Sequence, residues 1–339
     1  MAKLADVLAF APGDYRVMRG RAAHPNTALQ VVDVLLPPGW ASKTAALGQR
    51  LLWRRMRIEA TVQRKQVDCV VLTSPHYRTL LRLLPQGIKT VYYASDDYRS
   101  YVGWNNMAAL EAEMVQRVDH SFFISEGLVQ RAREEYGVAA ETISVSMNAT
   151  EQHFFPASEE PLILDPPCGP LPRPIAGVVG GINDRLDFGL LLACADLSEV
   201  GTLLLVGPLP EKRSASLQRL LAHSKCKSVG AQPHPEINRW FQCLDVGLIP
   251  YVKTEFNRLC SPMRLFDHLA SGAKVIATDA CEQVKVFDER VSVCGAPISF
   301  LDNVCHYLEK PRSAGHVQGI TWEDRAKHML HKLGEMGVA

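Results

Sequence analysis

The chain has 339 residues, 47% apolar and 22% charged, with a formal net charge of +1. That length exceeds one typical domain and suits two. The near-neutral charge excludes a global field drawing the chain to nucleic acid, and no apolar run approaches the ~20 residues needed to cross a bilayer.

Nine cysteines are scattered along the chain without a CxxC pair or a zinc-finger histidine spacing, which points to buried thiols in a reducing compartment. The opening stretch MAKLADVLAFAPGDYR reads as a first β-strand, not a signal peptide. The sequon Asn148-Ala149-Thr150 then has no secretory context, and a cytosolic protein is the expectation.

In chain order, β-rich apolar runs fall at Val7–Ala11, Val31–Leu35, Cys69–Thr73, Thr90–Ala94, Ser121–Ser125 and Ile143–Ser146. Amphipathic stretches at Thr44–Lys65, Met107–Arg117 and Leu128–Tyr136 separate them. Strands buried on both faces and spaced by helices predict a parallel sheet of βαβ units. Seven prolines between 156 and 174 break the rhythm, as a stiff linker would. The alternation resumes with strands at Ile175–Val179, Leu203–Val206, Lys227–Val229, Val246–Pro250 and Val275–Thr278. Helices are expected at Asp187–Ala195, Ser214–His223, Pro235–Cys243, Pro262–Ser271 and Trp322–Met336. The pattern predicts two Rossmann-like doubly wound α/β domains, 1–155 and 175–321, joined by a linker over 156–174. The last helix, about 322–339, would pack back on the first domain. A ligand is expected in the cleft outside the carboxyl ends of the strands.

The segment NRLCSPMRLFDHLASGAKVIAT (257–278) carries the most chemistry. Ser261 suits an N-cap, Pro262 the first helical position and Gly272 the helix end. The helix start offers unpaired N–H groups and a positive dipole end, where Arg264 would be disfavoured unless an anion sits there. A diphosphate fits. Asp267, one turn deeper, could accept from ribose hydroxyls. The alternative is an Arg264–Asp267 surface pair at i,i+3.

This segment resembles the donor-site helix of GT-B glycosyltransferases, in a branch that usually reads SPxKLxEYLAxGxPVVAT. GVVGGINDRLD (177–187) is similar to the GxxGxxxERxD opening of that branch's second domain, and LLLVGP (203–208) to its LxLxGP strand. Ser228-Val-Gly230 and Asp245–Tyr251 follow in family order. The resemblance implies a GT-B fold with a nucleotide-diphosphate sugar held by the second domain. Its donor contacts would be Gly180, Gly181, Arg185, Gly207, Ser261, Pro262, Met263, Arg264 and Asp267, the last standing for the family's ribose-binding glutamate. The glycines also suit tight strand-to-helix turns. Leu259 occupies the place of a second glutamate that retaining relatives carry, which bears on the sugar and the stereochemical outcome. GxGxxG and P-loop fingerprints are absent, against a dehydrogenase or kinase.

In the first domain the strand ending at Asp96-Asp97 matches an acidic pair of the branch. One carboxylate, Asp96 in preference to Asp97, could take the acceptor hydroxyl proton; both could instead be loop residues capping the next helix. The loop after the first strand brings Arg16, Arg19, Arg21 and His24 toward the cleft mouth, as acceptor contacts or as a solvated basic loop. His120 suits a structural place at a strand end, and Asn148-Ala-Thr-Glu151, which stands where relatives show NGVD but lacks the glycine, could line the cleft. The basic helix 49–65 with Trp53 could rest on the inner face of an anionic membrane or pack one stripe on its own sheet. The expectation is a metal-independent, cofactor-free transferase, with dipole and arginine stabilising the leaving diphosphate. Its partners would be a nucleotide-sugar donor and a glycan, lipid-linked or small-molecule acceptor, with no nucleic acid. The alternatives are a nucleotide-sugar epimerase or hydrolase on the same fold, or a degenerate binding protein.

Overall fold

The computed structural model describes residues 4–13, 31–40, 44–101, 106–156, 164–287, 289–310 and 317–338. It divides into two compact units, Met1–Met147 with Glu323–Ala339, and Asn148–Trp322.

The first unit has two parallel sheets among the described residues. Strand β1 (Ala9–Gly13) pairs with β2 (Val31–Leu35). A four-stranded sheet runs in sequence order through β3 (Cys69–Leu72), β4 (Lys89–Ala94), β5 (His120–Phe123) and β6 (Ile143–Val145). Helices α1 (Ala45–Val62), α2 (Met107–Val115) and α3 (Glu126–Tyr136) accompany them. The central strands are apolar on both faces because helices cover both: Val91, Tyr92 and Phe122 are fully buried. The last helix, named α10 below (Trp322–Glu335), places Met329 and Leu333 in a cluster with Val91 and Phe122. Burying that stripe ties the chain's end to this unit. His120 is buried, shares a hydrogen bond with Ser144 Oγ at 2.7 Å, and is pushed down to about 4, first by burial and then by Lys332.

The second unit holds one six-stranded parallel sheet in the order β12-β11-β10-β7-β8-β9. These are Val291–Cys294, Lys274–Thr278, Val246–Ile249, Ile175–Val179, Thr202–Val206 and Cys226–Gly230. The chain starts in the middle with β7, builds outward to β9, then returns to the other side of β7 with β10. That reversal is a topological switch point, the place where doubly wound sheets bind ligands beyond their carboxyl ends. The helices are α4 (Phe188–Asp196), α5 (Ala215–Leu221), α6 (Ile237–Gln242), α7 (Glu255–Leu259), α8 (Met263–Ala270) and α9 (Pro297–Leu308). Three of these elements, β12, α7 and α9, were not anticipated in the sequence.

The unit boundary falls at Met147/Asn148, ahead of the proline-rich stretch. Residues 164–174 belong to the second unit because their backbone groups bond there: the Leu164 N–H donates to the Gln242 carbonyl at 3.3 Å. Arg173 reaches the Asp245 carboxylate at 2.8 Å and the Leu164 and Cys243 carbonyls at 2.8 and 3.2 Å. All nine cysteines are free thiols, and Cys168 is the exposed one. Among the described residues no helix is long and apolar enough to cross a membrane.

Candidate functional site

At the switch point the ends of β7 and β8 meet through two glycines. Gly207, at φ +146°, comes so close to the first turn that a Cβ there would lie 1.9 Å from the Gly180 carbonyl oxygen. No side chain fits, so the two turns stack backbone on backbone, with the Gly180 N–H donating to the Val206 carbonyl at 2.8 Å. Gly180 itself has φ +111°, and a Cβ on it would stand 3.2 Å from Arg264 Nη2. The absent side chain is what leaves room for the guanidinium.

Arg264 lies in the first turn of α8. Its Nη2 donates to the Gly181 carbonyl at 2.8 Å, and its guanidinium lies 5.4 Å from the centre of the Tyr251 ring, just past the end of β10. Nη1 is buried without a hydrogen-bond partner. A buried cationic donor left unmatched costs free energy unless a ligand meets it. The i,i+3 alternative does not form: Arg264 turns to Gly181, and Asp267 accepts from Thr150 Oγ1 at 2.6 Å.

The helix start differs from the sequence expectation by one residue. Pro262 is the N-cap and Met263 the first helical residue, with no side chain capping the free N–H groups. Ser261 is not the cap because Asn148 takes both of its polar groups. The Asn148 N–H donates to Ser261 Oγ at 2.9 Å, and its side-chain amide to the Ser261 carbonyl at 2.7 Å. The start of α8 therefore has no side-chain cap, an arrangement able to receive an anion. Ser261 and Pro262 are buried, while Met263 is 49% exposed at the mouth of this site.

The Arg185 guanidinium lies 4.8 Å from the centre of the Tyr251 ring and 4.6 Å from that of Phe256. Nε donates to Asn257 Oδ1 at 2.7 Å and Nη2 to Cys260 Sγ at 3.1 Å. It braces the approach to α8. Leu259 is fully buried, so that position offers no contact to a sugar.

The Asp267 carboxyl is pushed up to about 7. Burial is the main cause and the nearby Glu151 charge adds to it; the Thr150 hydrogen bond and the Arg264 charge oppose it. The sequence marks the stretch that carries Asn148 and Thr150 but not their partners, which lie 113 and 117 positions away, and no local spacing signals such contacts.

In the first unit the acidic pair splits. Asp97 is buried in an ion pair with Arg131, at 2.5 and 3.3 Å, and accepts from Ser100 Oγ at 2.6 Å. Burial pushes its carboxyl up, but the Arg131 and Ser100 hydrogen bonds outweigh that and hold it below the ordinary range. Asp96 is half-buried and accepts from the Tyr101 hydroxyl and the Asp97 N–H. Neither carboxylate caps the short turn at Tyr98–Ser100. Arg16, Arg19, Arg21 and His24 lie outside the described residues.

No family model matches the chain. A candidate teichuronic acid biosynthesis glycosyltransferase of Bacillus subtilis (strain 168), TuaH, is 27% identical over 172 residues, which cover 50% of this chain and 42% of TuaH. The match thus spans less than half of that relative. Among solved structures, sucrose-phosphate synthase from Thermosynechococcus elongatus superposes with a TM-score of 0.67 at 14% identity, covering 97% of this chain and 88% of the other. Anabaena HepE in complex with UDP and glucose gives 0.65 at 12% identity, with coverage of 96% and 91%. WaaG, a glycosyltransferase involved in lipopolysaccharide biosynthesis, gives 0.58 at 14% identity, with coverage of 90% and 91%. The chain has the GT-B fold of these glycosyltransferases.

Proposed function

We propose that this chain is a glycosyltransferase whose second unit binds a nucleoside-diphosphate sugar at the start of α8. The observation that carries the reading is Arg264. A buried guanidinium nitrogen without a partner stands at an uncapped helix start, beside a glycine turn, at the switch point of a doubly wound sheet. A diphosphate would satisfy all three features at once. Asp267 would hold the ribose, and Thr150 would fix its carboxylate. Gly180 and Gly181 would let the phosphates approach the backbone, while Arg185 would position Tyr251 and Cys260. The likeness to TuaH supports transfer to a growing glycan, and the HepE complex supports a uridine nucleotide as the first donor to try.

The helix dipole and Arg264 would stabilise the departing diphosphate without a cation. Asp97 is occupied by Arg131, so Asp96 is the carboxylate we assign to the acceptor's hydroxyl proton. Helix α1 adds a membrane-facing surface to the proposal. Leu47, Leu51, Ile58 and Val62 are exposed along it at 54, 38, 44 and 72%, with Arg50, Arg54 and Arg57 between them. Such a stripe suits the headgroup region of an anionic bilayer and a lipid-linked acceptor.

The test is nucleotide release from a panel of sugar nucleotides, with and without glycan acceptors. A transferase releases the nucleoside diphosphate in step with acceptor glycosylation. Release of free sugar without acceptor, or interconversion of the donor, would replace this reading by a hydrolase or an epimerase.

A further inference from the structure

We propose that Glu151, His153 and His234 form a site for one divalent transition ion of the zinc class, which pins residues 148–156 to the loop between β9 and α6. The three side chains come from two separate stretches of the second unit. Glu151 and His153 lie just past the unit boundary, and His234 opens the turn His234–Glu236 before α6.

His153 Nδ1 stands 3.3 Å from Glu151 Oε2, and His234 Nε2 stands 3.6 Å from Glu151 Oε1. One donor atom from each residue lies within 4.8 Å of the others. A tetrahedral ion with bonds of about 2.0–2.1 Å holds its ligands about 3.3 Å apart. The two spacings, one to each oxygen of the Glu151 carboxylate, are close to that value, and modest rotation of the exposed side chains brings one atom of each onto a common ion. Two imidazoles with one carboxylate suit zinc and its late first-row neighbours better than calcium or magnesium, which favour oxygen. The residues are exposed, so water can complete the coordination.

The backbone on both sides is already fixed. Phe154 is buried against the Phe241 ring at 5.6 Å, and the Asn238 side-chain amide donates to the His153 carbonyl at 3.0 Å. Pro233 and Pro235 restrict the chain on either side of His234. Ligands need little reorganisation under such constraints. The pinned segment is the one that carries Asn148 and Thr150, which hold Ser261 and Asp267. An ion here would stiffen the support of α8 without touching the diphosphate position.

The test uses the full chain stripped with EDTA and titrated with zinc against a chromophoric chelator, alongside His153→Ala and His234→Ala. The expected result is one zinc equivalent on the wild type, with affinity at least about tenfold weaker in each variant. Amide hydrogen exchange over 148–156 should slow on adding zinc to the wild type and not to the variants. Cobalt should give a tetrahedral visible spectrum without a thiolate charge-transfer band, which separates this site from the cysteines. No binding at micromolar zinc, equal binding by both variants, a thiolate band, or unchanged exchange over 148–156 would overturn the proposal. None of these readouts requires that the chain bind a nucleotide.

Discussion

Replacing Arg264 by alanine should weaken UDP binding while leaving uridine binding nearly unchanged. The guanidinium has one nitrogen on the Gly181 carbonyl and one buried nitrogen without a partner. If the free nitrogen meets a diphosphate oxygen, the lost interaction is a charge-assisted hydrogen bond, about 1.5–3 kcal/mol. That corresponds to a dissociation constant for UDP roughly 10- to 150-fold higher. Uridine has no phosphate and should lose almost nothing. Arg264→Lys keeps the charge but not the paired donors, and should fall between. Calorimetric titration of both ligands, well below each variant's unfolding temperature, measures the difference. The Gly181 contact and the Tyr251 stacking will also lower the stability of Arg264→Ala, so the uridine titration serves as the folding control. Equal losses for UDP and uridine, or no loss for UDP, would refute the placement of the diphosphate.

The raised Asp267 carboxyl makes two pH statements. In the free protein the ionised form is penalised, so this group's contribution to stability falls as pH rises from about 4 to about 7 and is flat above. Ribose hydroxyls donate to the ionised form, so the affinity for UDP-glucose should fall about tenfold from pH 8 to pH 6; an Asp267→Asn variant with the same slope would contradict this. Gly207→Ala drives a Cβ to 1.9 Å from the Gly180 oxygen, whereas Gly181→Ala meets nothing closer than Asn183 Nδ2 at 3.4 Å. The first should cost more than about 3 kcal/mol and the second less than about 1 kcal/mol in denaturant unfolding; comparable costs would mean the stacked turns are not as described. Arg54→Ala with Arg57→Ala should weaken binding to anionic vesicles about 30-fold, at about 1 kcal/mol per charge. Vesicle binding unchanged in this double variant would refute the assignment of these arginines to an anionic surface.

Much of this fold is legible because buried parallel strands read as unbroken apolar runs. Ile175–Val179 and Thr202–Val206 are buried at every position, and the sequence shows it. The edge strand Val291–Cys294 escapes because two of its four residues are half-buried, which blurs the run. Helix Pro297–Leu308 has readable punctuation, with Pro297 at its first turn and Ser299 Oγ taking the Ala296 N–H at 3.4 Å. The length of α7, five residues, gives too little periodicity to register. At the site, proline and glycine mark where α8 begins and ends, and Arg264 is conspicuous as a cation in its first turn. The neighbours of these residues are not legible. Ser261 looks like a cap until Asn148 arrives from 113 residues away to donate to its hydroxyl, and nothing local shows that Tyr251 and Phe256 lie against Arg185. Local pattern identifies the element; only tertiary contact decides which of its polar groups remain available.

The central claim is that the start of α8 and the turn after β7 form a nucleotide site. Amide hydrogen exchange of the full chain with and without millimolar UDP, GDP and ADP tests it directly. The account predicts that at least one nucleotide slows exchange at both 180–182 and 263–267. If none does, or if protection appears only elsewhere in the chain, the assignment of the donor site is wrong.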